Sequence, residues 1–113
     1  MEHKRLADVE TAEPIPGVTL AQLVGGAEMS IQHFAIEPDA EIPQHQHHHE
    51  QSGFIYEGEL TLKFEGGKEV IVGSGDSYVM EANESHGAAN EGDRIVRGVD
   101  IFSPPRLNPD WAE

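Results

Sequence analysis

Apolar residues in this chain alternate with polar ones in short runs, and glycine-containing turns separate the runs. A period of two is the pattern of a β-strand with one buried face, and no window keeps the period of an amphipathic helix. The runs predict eight or more strands, at residues 18–24, 29–36, 42–49, 53–56, 60–64, 69–72, 77–80 and 95–102, with another near His86. The chain is therefore predicted to be all-β, either a sandwich or a barrel closed around an interior pocket.

Length and composition place these strands in one domain. The 113 residues are enough for a single modest core. Residues 1–17, which contain Pro14 and Pro16, are predicted to form an irregular N-terminal arm. Residues 103–113 are predicted to form a C-terminal tail, because two consecutive prolines after Ser103 stop the last strand. The absence of cysteine excludes disulfides, thiolate metal sites and a cysteine nucleophile.

Acidic residues dominate the charge of the chain. There are 21 Asp and Glu against 7 Lys and Arg, a formal net charge of −14. This charge argues against nucleic acid as a partner, since the chain has few basic side chains to neutralise phosphates. An ordinary solvated surface and the surface of a halophile both fit, and the scarcity of lysine favours the halophile. No apolar run is long enough to cross a membrane and no signal-peptide core begins the chain, so we expect a cytoplasmic protein without membrane contact.

A histidine-rich stretch carries the first functional signal. Alternate residues of a strand face the same side, so His45 and His47 would aim at one point, as metal ligands do. His49 has the same phase, but we expect the following turn to take it out of the site. Gln51 lies four residues after His47, which leaves room for a tight turn and a return on the next strand. His86 follows after a further hairpin and a half of predicted strands. A barrel can bring all four ligands together around a divalent transition metal.

These positions match two motifs of the cupin barrel. The first motif is a glycine-like turn, His-x-His, three residues, Glu, six residues and Gly, and it is matched by Asp39, His45, His47, Gln51 and Gly58. The second is Gly, five residues, Pro-x-Gly, two residues, His, three residues and Asn, and it is matched by Gly75, Glu81, Asn83, His86 and Asn90. The chain thus resembles the cupins, which implies a jelly-roll β-barrel, or double-stranded β-helix. It departs from them at Gln51, which replaces a charged ligand by a neutral amide. It also departs at Glu81 and Asn83, which replace the Pro and the Gly of the second motif, although Asn tolerates positive φ so that the turn can survive.

The segment from Asp100 to Arg106 narrows the resemblance. With the His-x-His…Gln pattern, it resembles the KdgF-type cupins of pectin degradation. That resemblance implies a metal held by His45, His47, Gln51 and His86, and a substrate pocket lined by Asp100, Phe102 and Arg106. It also implies conversion of 4,5-unsaturated uronate monosaccharides, released from pectin-type or alginate-type polyuronates, into linear 5-keto-4-deoxyuronate. Nickel, zinc, manganese and iron all suit ligands of mixed nitrogen and oxygen type.

The residue chemistry of this segment suits a sugar acid. Arg106 offers a planar, bidentate donor to a substrate carboxylate. Asp100 shares a strand face with Phe102, so both can reach one pocket, Asp100 as a general acid–base group and Phe102 as an apolar wall. Two other functions remain open. One is a non-catalytic cupin that binds a sugar or another small carboxylate, and the other is a metal-dependent dioxygenase.

Other aromatic and imidazole side chains have simpler interpretations. His33 is expected to be a satisfied core or pocket-lining histidine, and Tyr56 and Phe64 are expected in the core. Trp111 is expected in packing or in a dimer contact. An apolar outer face would suit a homodimer, which we expect for a small domain of this kind.

Overall fold

The computed structural model describes residues 1–107, so the predictions for residues 108–113, including Trp111, lie outside the described residues. Within residues 1–107, ten strands form two antiparallel sheets. Their bounds are β1 Thr11–Ile15, β2 Val18–Gly25, β3 Ser30–Ile36, β4 Glu41–His45, β5 Glu50–Glu57, β6 Glu59–Phe64, β7 Glu69–Gly73, β8 Ser77–Met80, β9 His86–Ala89 and β10 Val96–Ser103. Within residues 1–107 the helical segments are two short 3₁₀ turns, Leu6–Asp8 and Glu65–Gly67, and neither could span a membrane.

The two sheets face each other across one core. The six-stranded sheet has the order β1-β2-β3-β10-β5-β8, and the four-stranded sheet has the order β4-β9-β6-β7. After β3 the chain changes sheet at almost every connection. Phe34 and Ile55 from the larger sheet therefore meet Leu60 and Leu62 from the smaller sheet in a single buried cluster. This arrangement confirms the predicted all-β jelly roll.

Strand β10 shows how the alternating pattern builds the interior. It lies between β3 and β5, paired to both. Val96, Asp100 and Phe102 are buried on its inner face, whereas Arg97 and Ile101 on the outer face keep access to solvent. Asp100 and Phe102 therefore share the buried face, as the period of two predicts.

The N-terminal arm contains a strand that the sequence pattern did not predict. Residues Thr11–Ile15 form β1, which pairs with β2 at one edge of the six-stranded sheet. Pro14 is tolerated there because an edge strand leaves one row of backbone groups unpaired, so a missing N–H donor costs little. Ile15 also packs against the buried core. The prediction of an irregular arm over residues 1–17 is wrong for this stretch.

Tyr56 is not a core residue, contrary to the prediction. It lies on the outer face of β5 and is 45% exposed, one position after the fully buried Ile55. Its hydroxyl oxygen is 2.6 Å from Nε2 of His33, which is buried on the same outer face of the sheet. His33 is therefore a satisfied histidine with no part in lining the cavity described below. Phe64 is partly buried and packs against the core, as predicted.

Candidate metal centre and substrate cavity

The four-stranded sheet brings two histidines together across a strand pair. His45 ends β4 and His86 begins β9, and the two residues are direct partners in the antiparallel register. Side chains that are directly opposite each other project from the same face of a sheet. The two rings are 4.4 Å apart between centroids, in an edge-to-face arrangement.

His47 reaches the same place from a loop and not from a strand. Strand β4 ends at His45, so the prediction of a strand over residues 42–49 is wrong beyond that position. The loop is fixed from the other side of the site, because the backbone N–H of Asn83 donates to the carbonyl oxygen of His47 at 2.7 Å. Asn83 has a φ of 66°, which confirms that an asparagine preserves this left-handed turn. The His47 ring lies 5.2 Å from the His86 ring between centroids.

The three histidines are arranged as metal ligands. One ligand atom from each of His45, His47 and His86 lies within 4.8 Å of the others. Nδ1 of each ring lies beside a backbone carbonyl oxygen, at 3.0 Å for His45, 3.1 Å for His47 and 2.9 Å for His86. A carbonyl oxygen only accepts hydrogen bonds, so Nδ1 carries the proton and Nε2 keeps a lone pair for a metal. Nε2 of His86 is buried with no hydrogen-bond partner among residues 1–107, as expected for a ligand atom.

Gln51 supplies an oxygen to this cluster. It is buried on the inner face of β5, while the neighbouring Glu50 is exposed, as strand alternation predicts. Oε1 of Gln51 is 3.0 Å from Nε2 of His47. Since His47 already donates its Nδ1 proton elsewhere, these two atoms both present lone pairs, and a cation bound to both would stabilise the contact. The donor set of three imidazoles and one amide oxygen therefore fits a divalent transition metal.

Burial favours the neutral form of two of these imidazoles, His47 and His86. It lowers the pKa of His47 and that of His86, and in both cases it is the largest cause of the shift. Neutral imidazole is the form that binds metal. The site is therefore prepared for a metal at neutral pH.

His49 is buried beside the site and does not turn out to solvent, although it is neither one of the three clustered ligands nor part of the cavity wall described below. It is buried, and its ring is 5.4 Å from that of His47 and 5.8 Å from that of Phe102 between centroids. Burial, followed by the neighbouring histidines and Arg106, lowers the pKa of His49 to about 4. The sequence signal for this position was its spacing of two residues from His47. The conformation of the loop that keeps His49 buried could not be predicted from the sequence.

A second group of polar residues crosses the six-stranded sheet in one register row. Asp100 on β10 is paired with Gly53 on β5, and Gly53 is paired with Tyr78 on β8. A Cβ atom on Gly53 would lie only 2.1 Å from the Tyr78 ring, so the glycine is what allows the ring to lie across β5. The Tyr78 hydroxyl then donates to Oδ1 of Asp100 at 2.8 Å. Sequence patterns missed Tyr78, because this contact depends on the register of three strands.

The carboxyl group of Asp100 has a raised pKa. Burial raises its pKa to about 6, and hydrogen bonds from Tyr78 and Gln51 and the charge of Arg106 act in the opposite direction. Burial also raises the pKa of Tyr78 well above its ordinary value, so this phenol remains a donor. A carboxyl whose pKa lies close to neutrality is suited to both giving and taking a proton.

Arg106 follows β10 and returns to the site. Its backbone N–H donates to the hydroxyl of Ser30 at 2.8 Å, which anchors the segment to β3. Its guanidinium carbon lies 5.2 Å from the centre of the buried Phe102 ring, a cation–π distance. The structure thus brings together all three residues named for the substrate pocket.

Most of these groups, but not His47 or His49, line a cavity of about 400 Å³. Ligand sites for small molecules are typically about 300–1,000 Å³, so the cavity has the volume of a small-molecule site. Apolar side chains from both sheets form most of the wall, including Leu20, Phe34, Ile42, Leu60, Leu62 and Met80. The polar groups that interrupt this wall are His45, His86, Gln51, Asp100, Tyr78, Gln32 and Arg106.

Comparison with known proteins identifies the family. The Cupin domain family matches residues 32–102, which contain every proposed ligand. The chain belongs to the cupins. A Bacillus subtilis protein named H2HPP isomerase is 38% identical to this cupin over 68 residues, which are 60% of this chain and 28% of the length of that protein.

Solved structures with the same fold cover nearly the whole cupin. An RmlC-like cupin from Shewanella frigidimarina has a TM-score of 0.82 at 26% identity, over 96% of each chain. KdgF from Halomonas sp. has a TM-score of 0.85 at 21% identity, over 96% of this chain and 97% of that one. The polyketide cyclase RemF from Streptomyces resistomycificus has a TM-score of 0.81 at 20% identity, over 91% and 79%. The likeness to KdgF and RemF concerns the fold.

Proposed function

We propose that this cupin is a metal-dependent enzyme that opens the ring of 4,5-unsaturated uronate monosaccharides to give linear 5-keto-4-deoxyuronate. The observation that carries the proposal is that Asp100 and Arg106 line the same cavity as His45 and His86, two members of the histidine cluster. A carboxylate-binding group, an acid–base group and a metal centre are the three parts that this reaction needs.

Arg106 is the proposed carboxylate-binding residue. Its guanidinium can form two parallel hydrogen bonds with the carboxylate of a uronate. The Phe102 ring beneath it excludes water from one side, which strengthens that pairing. The carboxylate would thereby fix the sugar ring in one orientation in the cavity.

Asp100 is the proposed proton carrier. In the reaction, the anomeric hydroxyl loses its proton while the bond between C1 and the ring oxygen breaks and a C1 aldehyde forms. The electrons of the broken bond go to the ring oxygen and leave an enol at C5, which becomes the 5-keto group as C4 gains a proton. One proton is taken and one is returned, so the net reaction is an isomerisation without water, oxidant or reductant. Tyr78 and Gln51 orient the carboxyl that carries this proton.

The metal centre supplies Lewis-acid polarisation of the sugar oxygens when a divalent transition metal is bound. His45, His47, His86 and Gln51 would hold it. Because Gln51 is neutral, the ligands add no negative charge to the metal, which favours polarisation of the substrate.

Two of the comparisons support the proposal at different levels. The fold of KdgF from Halomonas sp. matches nearly the whole chain, which supports a site of that type in this barrel. The Bacillus subtilis relative is named an isomerase, and the proposed ring opening is also an isomerisation. Since the match spans 28% of that relative, it supports the class of reaction and not the substrate.

The test is the ultraviolet absorbance of the conjugated double bond of unsaturated galacturonate and of unsaturated guluronate. The metal-loaded protein is expected to remove this absorbance much faster than buffer, and a chelator is expected to abolish the effect. Binding of the sugar acid without any loss of absorbance would replace the proposal by the non-catalytic alternative. Oxygen consumption during turnover would replace it by the dioxygenase alternative.

We also propose that two copies of the chain pair through the outer face of the six-stranded sheet. Phe54, Val79 and Ile101 are exposed there, at 44%, 62% and 39%. Two chains of net charge −14 repel each other, so a self-contact needs an apolar face such as this one. Light scattering is expected to give a dimer for the wild type and a monomer for Val79→Lys, and a monomeric wild type would contradict the proposal. The cytoplasmic location and the halophilic host stay predictions.

A further inference from the structure

Gln32 is a buried polar residue of the cavity to which the proposed reaction gives no role. It lies on the inner face of β3 and is 6% exposed. Its side-chain oxygen, Oε1, has no hydrogen-bond partner among residues 1–107. The side chain lines the same cavity as Asp100 and Arg106.

An unpaired oxygen in such a place needs an explanation. A buried acceptor without a donor destabilises a fold, and most buried polar atoms are paired. The neighbour of Gln32 in the register of the sheet is Asp100 on one side. The carboxyl oxygen Oδ1 of Asp100 already accepts from Tyr78, so this neighbour is a poor source of a donor. The missing donor is therefore expected from the occupant of the cavity.

We propose that Gln32 is a specificity-determining residue whose side-chain oxygen accepts a hydrogen bond from a hydroxyl group of the bound sugar acid. This inference rests on the proposed function and names the part of the substrate that the site recognises. Arg106 attracts the carboxylate, whereas the amide oxygen of Gln32 repels a carboxylate and favours a hydroxyl. The two residues together discriminate between the ends of a hydroxylated acid, and they disfavour acids that lack the hydroxyl.

The chain offers a matched control on the neighbouring strand. Gln22 on β2 pairs with Gln32 in the register and is also a glutamine. It does not line the cavity, and its amide nitrogen donates to the carbonyl oxygen of Leu23. Gln32→Met and Gln22→Met therefore remove the same amide from the same row of the sheet, and only the first removes it from the cavity.

The experiment measures kcat/KM on unsaturated galacturonate and on its 2-deoxy and 3-deoxy analogues. Gln32→Met is expected to lower kcat/KM on the parent sugar by about tenfold to a hundredfold. One of the two deoxy analogues lacks the hydroxyl that Gln32 recognises. On that analogue, kcat/KM of Gln32→Met is expected to match that of the wild type within about twofold, because the wild type cannot form the hydrogen bond either. Gln22→Met is expected to follow the wild type on all three. An equal loss on all three substrates, or no loss on the parent, would overturn the proposal.

Thermal unfolding separates recognition from a structural role. Because methionine removes an unpaired buried oxygen at similar volume, Gln32→Met is expected to keep the wild-type Tm or to raise it by about 2–5 °C. If Gln32→Met had a lower Tm than the wild type and lower activity on every substrate, Gln32 would have a structural role and not a role in recognition.

Binding provides the readout if the wild type has no ring-opening activity. Calorimetry then compares galacturonate with its 2-deoxy and 3-deoxy analogues on the metal-loaded protein. Preference for the hydroxylated acid in the wild type, lost in Gln32→Met, would uphold the role of Gln32 although the proposed reaction had failed. Retention of the preference in Gln32→Met, or absence of binding, would overturn it.

Discussion

Both sheets contribute apolar side chains to the cavity, but their polar groups differ: the four-stranded sheet contributes two imidazoles, and the six-stranded sheet contributes a carboxyl, a phenol and two amides. His45 and His86 come from β4 and β9, while Asp100 and Tyr78 come from β10 and β8. Gln51 belongs to the larger sheet but contacts His47, so it links the two groups. Two of the proposed metal ligands thus lie on the smaller sheet and the proposed proton carrier lies on the larger one, so substitutions should be able to remove one proposed role without the other.

The largest effect is expected on the metal side. His86→Ala removes a buried ligand, so it should weaken metal binding by about a hundredfold or more and abolish turnover. Metal content per chain, measured by elemental analysis after dialysis, checks this. His48→Ala is the control, since His48 is exposed and in the same region of the chain. Full metal content in His86→Ala would mean that the cluster is not the metal site.

Substitution of the proposed proton carrier, Asp100, should lower turnover without lowering the metal content. Asp100→Asn keeps the size of the side chain but cannot carry a proton, so turnover is expected to fall by about 10²- to 10⁴-fold at unchanged metal content. The exposed Asp93 offers a control, and Asp93→Asn should retain wild-type turnover. Unchanged turnover in Asp100→Asn would remove the carboxyl from the mechanism. If the wild type has no turnover and Asp100→Asn keeps the ligand affinity of the wild type, the non-catalytic binding cupin is favoured.

Carboxylate recognition should appear mainly in KM. Arg106→Lys retains a positive charge but loses the bidentate geometry, so KM is expected to rise by about tenfold to fiftyfold with a smaller change in kcat. The methyl ester of the substrate has no carboxylate, and on it the variant and the wild type should behave alike. Arg94→Lys, on an exposed turn, is the control. A variant equally impaired on acid and ester would contradict a role in carboxylate binding.

Gly53 allows a smaller test within the larger sheet. Gly53→Ala would displace the Tyr78 ring and break its hydrogen bond to Asp100, so about a tenfold loss of kcat and a Tm lower by about 5 °C are expected. Tyr78→Phe should reproduce the loss of kcat with a smaller change in Tm, because it removes only the hydroxyl. Gly92→Ala is the control, since its new Cβ would make only an ordinary 3.5 Å contact. Wild-type kcat in both Gly53→Ala and Tyr78→Phe would show that the phenol does not support Asp100.

The smallest effect is expected on the outer face of the larger sheet. Burial, followed by the charge of Arg97, lowers the pKa of His33 in the folded state. The unfolded chain then binds more protons just below the ordinary histidine pKa, so the contribution of His33 to stability falls as the pH falls through that window. His33→Gln should therefore show a weaker acid-dependent loss of Tm than the wild type, by about 1–3 °C. Identical pH profiles of Tm would contradict this account.

The sequence predicted the residues whose positions follow from local periodicity. Asp100 and Phe102 share a buried face because β10 keeps a period of two throughout its length. Asn83 preserves a left-handed turn because its side chain tolerates positive φ. His45, Gln51 and His86 were named from motif spacing, and the fold brings them to one cavity.

The remaining features depend on contacts between distant strands. Tyr78 reaches Asp100 only because β8, β5 and β10 are in one register and Gly53 leaves room for the ring. Strand β1 exists because β2 offers it an edge, although its own residues are mostly exposed and show no alternating apolar pattern. Tyr56 looked like a core residue by type, but strand phase places it outside. Long-range register of this kind cannot be read from one strand at a time.

The hydrogen bond from the Asn83 N–H to the His47 carbonyl oxygen gives the metal centre a reporter outside its own ligands. Filling the centre would hold the His47 loop still, and the Asn83 amide would then open less often and exchange its hydrogen with solvent more slowly. In a protein loaded with diamagnetic zinc, the resonance of this single amide would measure occupancy without a chromophore or a substrate. The β8–β9 turn contributes no metal ligand, but hydrogen exchange at its Asn83 amide would thus report how much of the metal centre is occupied.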